Sequence, residues 1–293
     1  MAVSMRKQIA QNKRTTILLM LVFVAFVTLI GLLFAWLNND FSIMVWFLLI
    51  GAGYALFQYF YADKIAIRTA GAREVQEKDD PRYFQIVREL AENAKIPMPK
   101  LYIINDDAPN AFATGRDPEH ACIAATTGLF EVMDNRELAA VMGHELSHVK
   151  NYDIRINMIV FGLVAVVGLM SDFGMRVLLY GKRDREENSP IGALFAFLTI
   201  ILSPIIASLV QMGISRQREY LADASSANIT GSTDDMINAL RKLEIHTRPM
   251  HQQNIATESM YIANPLAKSV LSRLFSTHPP LEARIERLEN VKK

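Results

Sequence analysis

The chain has 293 residues, 51% of them hydrophobic, and its 31 basic and 30 acidic side chains leave a formal net charge of +1. That balance excludes the basic footprint of a nucleic-acid-binding protein, so no nucleic-acid partner is expected. The single cysteine, Cys122, excludes an internal disulfide and fits a reducing compartment, while the apolar fraction is high for a soluble protein of one or two domains.

Residues 1–14 carry Arg6, Lys7, Lys13 and Arg14 and no acidic side chain. The uncharged run from Thr15 to Leu37 would cover roughly 34 Å as a helix, enough for a bilayer core of about 30 Å. It is too long for the apolar core of a cleaved signal peptide, and a second uncharged run, Phe41 to Ala62, follows at once. Both read as retained spans, at about 15–37 and 41–62. Basic residues flank this hairpin on its outer ends and not at its tip, which puts the N-terminus and everything just after residue 63 in the cytoplasm.

Residues 82–96 place Tyr83, Ile86, Val87, Leu90 and Ala94 on one helical stripe, ended by Pro97 and Pro99. Leu101–Ile104, Asn110–Ala113 and Cys122–Ala125 read as short strands, the last two joined through Gly115–Pro118. Cys122 lies in a small apolar run and reads as core, not as a nucleophile. This layout is α+β and mainly helical.

Next comes His-Glu-x-x-His, at 144–148. Residues four apart share a helix face, so His144 and His148 can offer two imidazole nitrogens to one zinc ion. Glu145, one position round, stands beside that ion and can take a proton from a water. Asp134 and Glu137 form a capping-box signature that starts the helix. It is expected to end or bend near Asn151–Asp153.

Residues 156–171 are uncharged but short for a crossing, at about 24 Å. Asn188 to Ser215 is uncharged and long enough, with Pro204 as a kink. Four basic residues in the intervening loop leave open whether 156–215 crosses the membrane. Methionines in these stretches, Met158, Met170, Met175 and Met212, read as lipid-facing or core and not as a copper site. Residues 236–246 and 281–291 are amphipathic helices, the latter preceded by His278-Pro279-Pro280.

A catalytic zinc site needs a third protein ligand and one open position. Glu219 is the best candidate: it lies four residues before Asp223 on a helical stretch, so one carboxylate can bind metal while the other holds an imidazole by its second nitrogen. If both apolar segments between His148 and Glu219 cross, or neither does, the ligands end on one side of the membrane. His120, His246 and His251 have no ligand spacing and read as surface residues.

Four motifs, at His144–His148, Arg218–Asp223, Asn110–Gly115 and Thr277–Ile285, together resemble the HtpX membrane metalloproteases, relatives of the CAAX prenyl proteases within the gluzincins. The resemblance runs over nearly the whole chain. It implies a zinc endopeptidase of the bacterial inner membrane, one Zn2+ per chain, that faces the cytoplasm and removes misfolded or damaged membrane proteins under stress. It implies His144, His148 and Glu219 as ligands, Glu145 as base and Asp223 as the acid orienting the first histidine. It also implies Asn110 and Ala111 as the edge-strand segment that aligns a polypeptide substrate.

On this reading residues 1–63 are a transmembrane hairpin, 64–155 the first part of a protease domain, 156–215 a second apolar hairpin and 216–293 the second part. The partners are polypeptide substrates and the lipid bilayer. An oxyanion donor is also needed; His278 is the first choice, with Arg216 or Arg218 behind it. The rival is a catalytically silent membrane scaffold or sensor with a structural zinc site, which normally has four protein ligands. No convincing fourth is visible. A channel or transporter fits less well, because the two N-terminal spans carry no ionisable residue.

Overall fold

The computed structural model describes residues 2–163, 216–252, 260–264 and 279–292. Most of the second apolar hairpin (156–215), including Met170, Met175 and Met212, and also His278, therefore lie outside the described residues.

Helices α1 (Ala2–Asn38) and α2 (Ser42–Thr69) form an αα-hairpin. Both outrun the apolar stretches that the composition marks. No Gly or Pro interrupts the backbone ladder at either edge, so α1 begins in the basic segment and α2 stops only just before Gly71, at φ 64°. Ile17, Leu21, Leu29, Trp36, Trp46 and Ile50 are all more than half exposed, and both helices are long and apolar enough to cross a membrane.

A four-stranded mixed sheet follows, in the order β1 (Arg73–Glu74), β2 (Lys100–Ile104), β4 (Cys122–Thr126), β3 (Ala111–Thr114). β2 and β4 run parallel, while β1 on β2 and β3 on β4 are antiparallel. Helix α3 (Pro81–Ala94) precedes β2, capped by Asp80 and ended by Lys95 in the left-handed conformation. The pleat divides the core. Ala111, Ala113, Ile123 and Ala125 face α3 and the metal-motif helix α5 (Asn135–Lys150), reached through the short α4 (Thr127–Val132). Phe112, Cys122 and Ala124 face Ala62, Ala66 and Ile67 of α2 and the helical residues 156–163. The sheet is thus the layer between the apolar helical hairpin and the helix that carries the histidine motif. Cys122 is buried as expected, and burial pushes its thiol up to about 12, far from nucleophilic.

The remaining helices are α6 (Arg216–Thr230), α7 (Thr233–Ile245) and α8 (Leu281–Lys292). Gly143 sets the approach of α6 to α5. A Cβ there would lie 2.9 Å from Ser226 Oγ, and that hydroxyl donates to the Ala140 carbonyl at 2.5 Å. The absent side chain lets the two helices touch immediately before His144.

Candidate metal centre

Helix α5 starts on a reciprocal cap. The Asp134 carboxylate accepts the N–H groups of Arg136 and Glu137 at 2.8 and 2.9 Å, and Glu137 accepts the Asp134 N–H at 2.9 Å. The helix then runs regularly, so His144 and His148 stack one turn apart with their Nε2 atoms 3.1 Å from each other. Glu219, carried over by α6, places its carboxylate oxygens 3.6 Å from His144 Nε2 and 3.5 Å from His148 Nε2. The ligand atoms of these three buried side chains lie within 4.8 Å of one another.

The other nitrogen of each ring decides what this cluster can hold. His144 Nδ1 lies 2.9 Å from Asp223 Oδ1, and His148 Nδ1 lies 3.0 Å from Asp153 Oδ2. A carboxylate only accepts, so each Nδ1 carries the hydrogen and each Nε2 of a neutral ring presents a lone pair. With both rings neutral, two lone pairs and a carboxylate converge in a buried space, an arrangement that a divalent cation such as zinc satisfies.

Behind His144, the fully buried Arg284 of α8 donates to both Asp223 oxygens at 2.6 and 2.9 Å. Its Nη2 is also 3.3 Å from His144 Nδ1, but there donor faces donor, so the imidazole proton belongs to Asp223. Burial, and then the Arg284 charge, push His144 down to about 4. Asp223 is held low by Arg284 against the opposing effect of burial. Behind His148 the support differs. Asp153 accepts from Asn12 Nδ2 of α1 at 2.7 Å, and Arg218 Nη1 is 3.7 Å away. Burial opposes the charged form of His148, but Glu219 and then Asp153 outweigh it and push the ring up to about 9. Tyr152, at φ 62°, turns the chain so that Asp153 comes back to this ring.

Glu145 is 2% exposed, beside the ligand pair on α5. Asn110 and Ala111 sit at the start of the sheet's edge strand β3, and both are buried. The sequence-derived oxyanion alternatives separate: Arg218 is turned to Asp153, and Arg216 is exposed. Sequence pattern alone does not single out Asp153, Arg284 or Asn12. Asp153 follows the metal motif closely and Arg284 lies within the Thr277–Ile285 motif; Asn12 carries no signal at all.

Of the other histidines, His120 and His246 are exposed. Exposed His251 approaches Asp106 and Asp107, a second group with metal-compatible spacing. There Asp106 already accepts the N–H groups of Ala108 and His251, and Arg248 pairs with Asp107 at 2.9 Å, which describes a cross-linked turn.

Residues 77–292 match peptidase family M48. The chain is 46% identical over 283 residues to a "Protease HtpX homolog" of Tropheryma whipplei (strain Twist), covering 97% of each. It is 43% identical over 295 residues to a "Protease HtpX homolog" of Streptococcus gordonii, covering 97% of this chain and 99% of that one. The crystal structure of S. mikatae Ste24p aligns with a TM-score of 0.51 at 19% identity, over 90% of this chain and 61% of that longer one, a likeness of fold alone. The mainly helical α+β architecture and the four-motif resemblance agree with these matches, and the chain belongs to peptidase family M48, as a membrane metalloprotease.

Proposed function

We propose that the chain is a zinc endopeptidase of the bacterial inner membrane, with its protease part and both termini in the cytoplasm, that cuts misfolded or damaged membrane proteins. The observation that carries this reading is the convergence of His144, His148 and Glu219 beside Glu145, with both imidazoles held in one tautomer by buried carboxylates.

In this mechanism His144, His148 and Glu219 would hold a zinc ion, which would supply the Lewis acidity that lets water act as a nucleophile at neutral pH. Glu145 takes the proton of the attacking water and returns it to the leaving amine. Asp223 and Asp153 keep the Nδ1–H of each imidazole occupied, so both Nε2 atoms stay available. Asn110 and Ala111 align the substrate backbone along β3. His278 is the proposed oxyanion donor. A closed structural site, as a silent scaffold needs, calls for a fourth protein ligand, and among the described residues none joins the cluster.

The test is cleavage of unfolded casein by the purified full-length protein, with metal analysis. We expect one zinc per chain, and cleavage abolished by a chelator and restored by zinc. Cleavage indifferent to the chelator contradicts the mechanism.

A further inference from the structure

β3 pairs with β4 on one side only, and its other edge is not empty. Tyr261 bridges Phe112 in antiparallel sense, and the Ile262 N–H donates to the Ala111 carbonyl at 3.0 Å. The Asn110 side chain grips the next residue by both backbone groups: Nδ2 donates to the Ala263 carbonyl at 2.9 Å, and Oδ1 accepts the Ala263 N–H at 3.1 Å. On the far side the Ile262 carbonyl accepts from Arg284 Nη1 at 3.2 Å. That same nitrogen is 3.7 Å from the Glu219 carboxylate. A short piece of this chain, in bridge register only at Tyr261 and bent at Ile262 and Ala263, is therefore strapped between the substrate-aligning edge and the side chains behind the metal cluster.

We propose that Met260–Ala263 occupies the substrate's own place on β3, and that an incoming extended, apolar polypeptide must exchange with it before cleavage. This rests on the proposed role of Asn110 and Ala111 in aligning substrate. The contacts are those that recognise any peptide backbone, made with amide, carbonyl and guanidinium groups and independent of sequence. They are also few. The segment makes one isolated bridge, where β2 and β4 share a register of five residues. The side chains describe what can compete: Tyr261 packs edge-on against Phe112 at 4.9 Å, and Met260, Tyr261 and Ile262 are buried. Unfolded proteins expose extended apolar stretches of this kind and folded ones do not. The occupied edge thereby selects for unfolded chains and restrains the enzyme when none is present.

Phe112 and Tyr261 face each other directly across the bridge, the separation at which paired cysteines form a disulfide. The experiment uses full-length, zinc-loaded protein carrying Phe112→Cys, Tyr261→Cys and Cys122→Ser, assayed on unfolded casein after oxidation with diamide and again after a phosphine reductant. Oxidation is expected to lower cleavage at least tenfold, and reduction to restore it. Equal activity in the two states overturns the exchange. Ile262→Pro, which deletes the donor to Ala111, gives a second measure: KM for casein falls several-fold with kcat retained. An unchanged or higher KM overturns the proposal as well. Wild-type protein that leaves casein uncut refutes the underlying assignment of function, whereas wild-type cleavage with redox-indifferent cysteines refutes the exchange alone.

Discussion

The two imidazoles stand on unlike foundations. Asp223 behind His144 is clamped by a fully buried guanidinium through two hydrogen bonds. Asp153 behind His148 is held by one amide from the membrane hairpin, with Arg218 further off. The distances from carboxylate to ring are nearly equal, 2.9 and 3.0 Å, yet the rings are pushed in opposite directions, to about 4 and about 9. Burial and then the Arg284 charge push His144 down, whereas Glu219 and then Asp153 outweigh burial at His148, so equal ring-to-carboxylate distances do not imply equal electrostatics. One ring is braced by α8 and the other reaches α1 through Asp153 and Asn12, so metal affinity is expected to depend on the docking of α1.

The largest effect is expected where both sides meet. Glu219→Ala removes the carboxylate that lies 3.6 and 3.5 Å from the two Nε2 atoms, and metal content is expected to fall from one per chain to near zero, with cleavage lost. Metal analysis checks this directly. Arg284→Met strands the Asp223 charge in the interior and is expected to cost about 3–5 kcal/mol of stability, read from a denaturation midpoint.

On the other foundation the losses are smaller. Asp153→Ala is expected to weaken zinc binding by roughly 10–100-fold with the fold retained. If it destabilises as much as Arg284→Met, the contrast between the two sides is wrong. Asn12→Ala, 141 positions from Asp153 in sequence, is expected to remove about 1 kcal/mol and to lower zinc affinity a few-fold. Zinc competition titration of the purified variant decides whether the anchor reaches the metal.

The smallest effect lies outside both foundations. Asp134→Ala deletes the α5 cap and is expected to cost about 1 kcal/mol without changing zinc stoichiometry. The Glu137 backbone N–H, chiefly, holds the Asp134 carboxyl below the usual carboxylate range. A carboxyl depressed in the folded state stabilises fully above its unfolded value of about 3.9 and loses that contribution as pH falls through the folded one. The penalty of the variant is therefore expected at pH 7 and to vanish in acid. A penalty independent of pH contradicts the cap as its source.

Local pattern accounts for what could be read in the residues. The spacing of His144 and His148, the Asp134 and Glu137 pair and the apolar runs of α1 and α2 are all periodicities of one helix, and one helix is what a short window specifies. Glu219 and Asp223 were legible because they also share a helix face. Asp153, Arg284 and Asn12 are single residues whose meaning arises only when distant segments pack. Asp153 depends on a left-handed turn at Tyr152, which a non-glycine residue does not announce. The peptide laid along β3 is likewise a tertiary fact: nothing in Met260–Ala263 marks it as the partner of Phe112.

The ligand set is read directly by zinc X-ray absorption on the purified, zinc-loaded chain. Two imidazole nitrogens at about 2.0–2.1 Å are expected, with the remaining positions filled by oxygen and no sulfur. In Glu219→Ala, any zinc retained is expected to show an altered oxygen shell. A third imidazole, or a spectrum identical in wild type and variant, would contradict that ligand set.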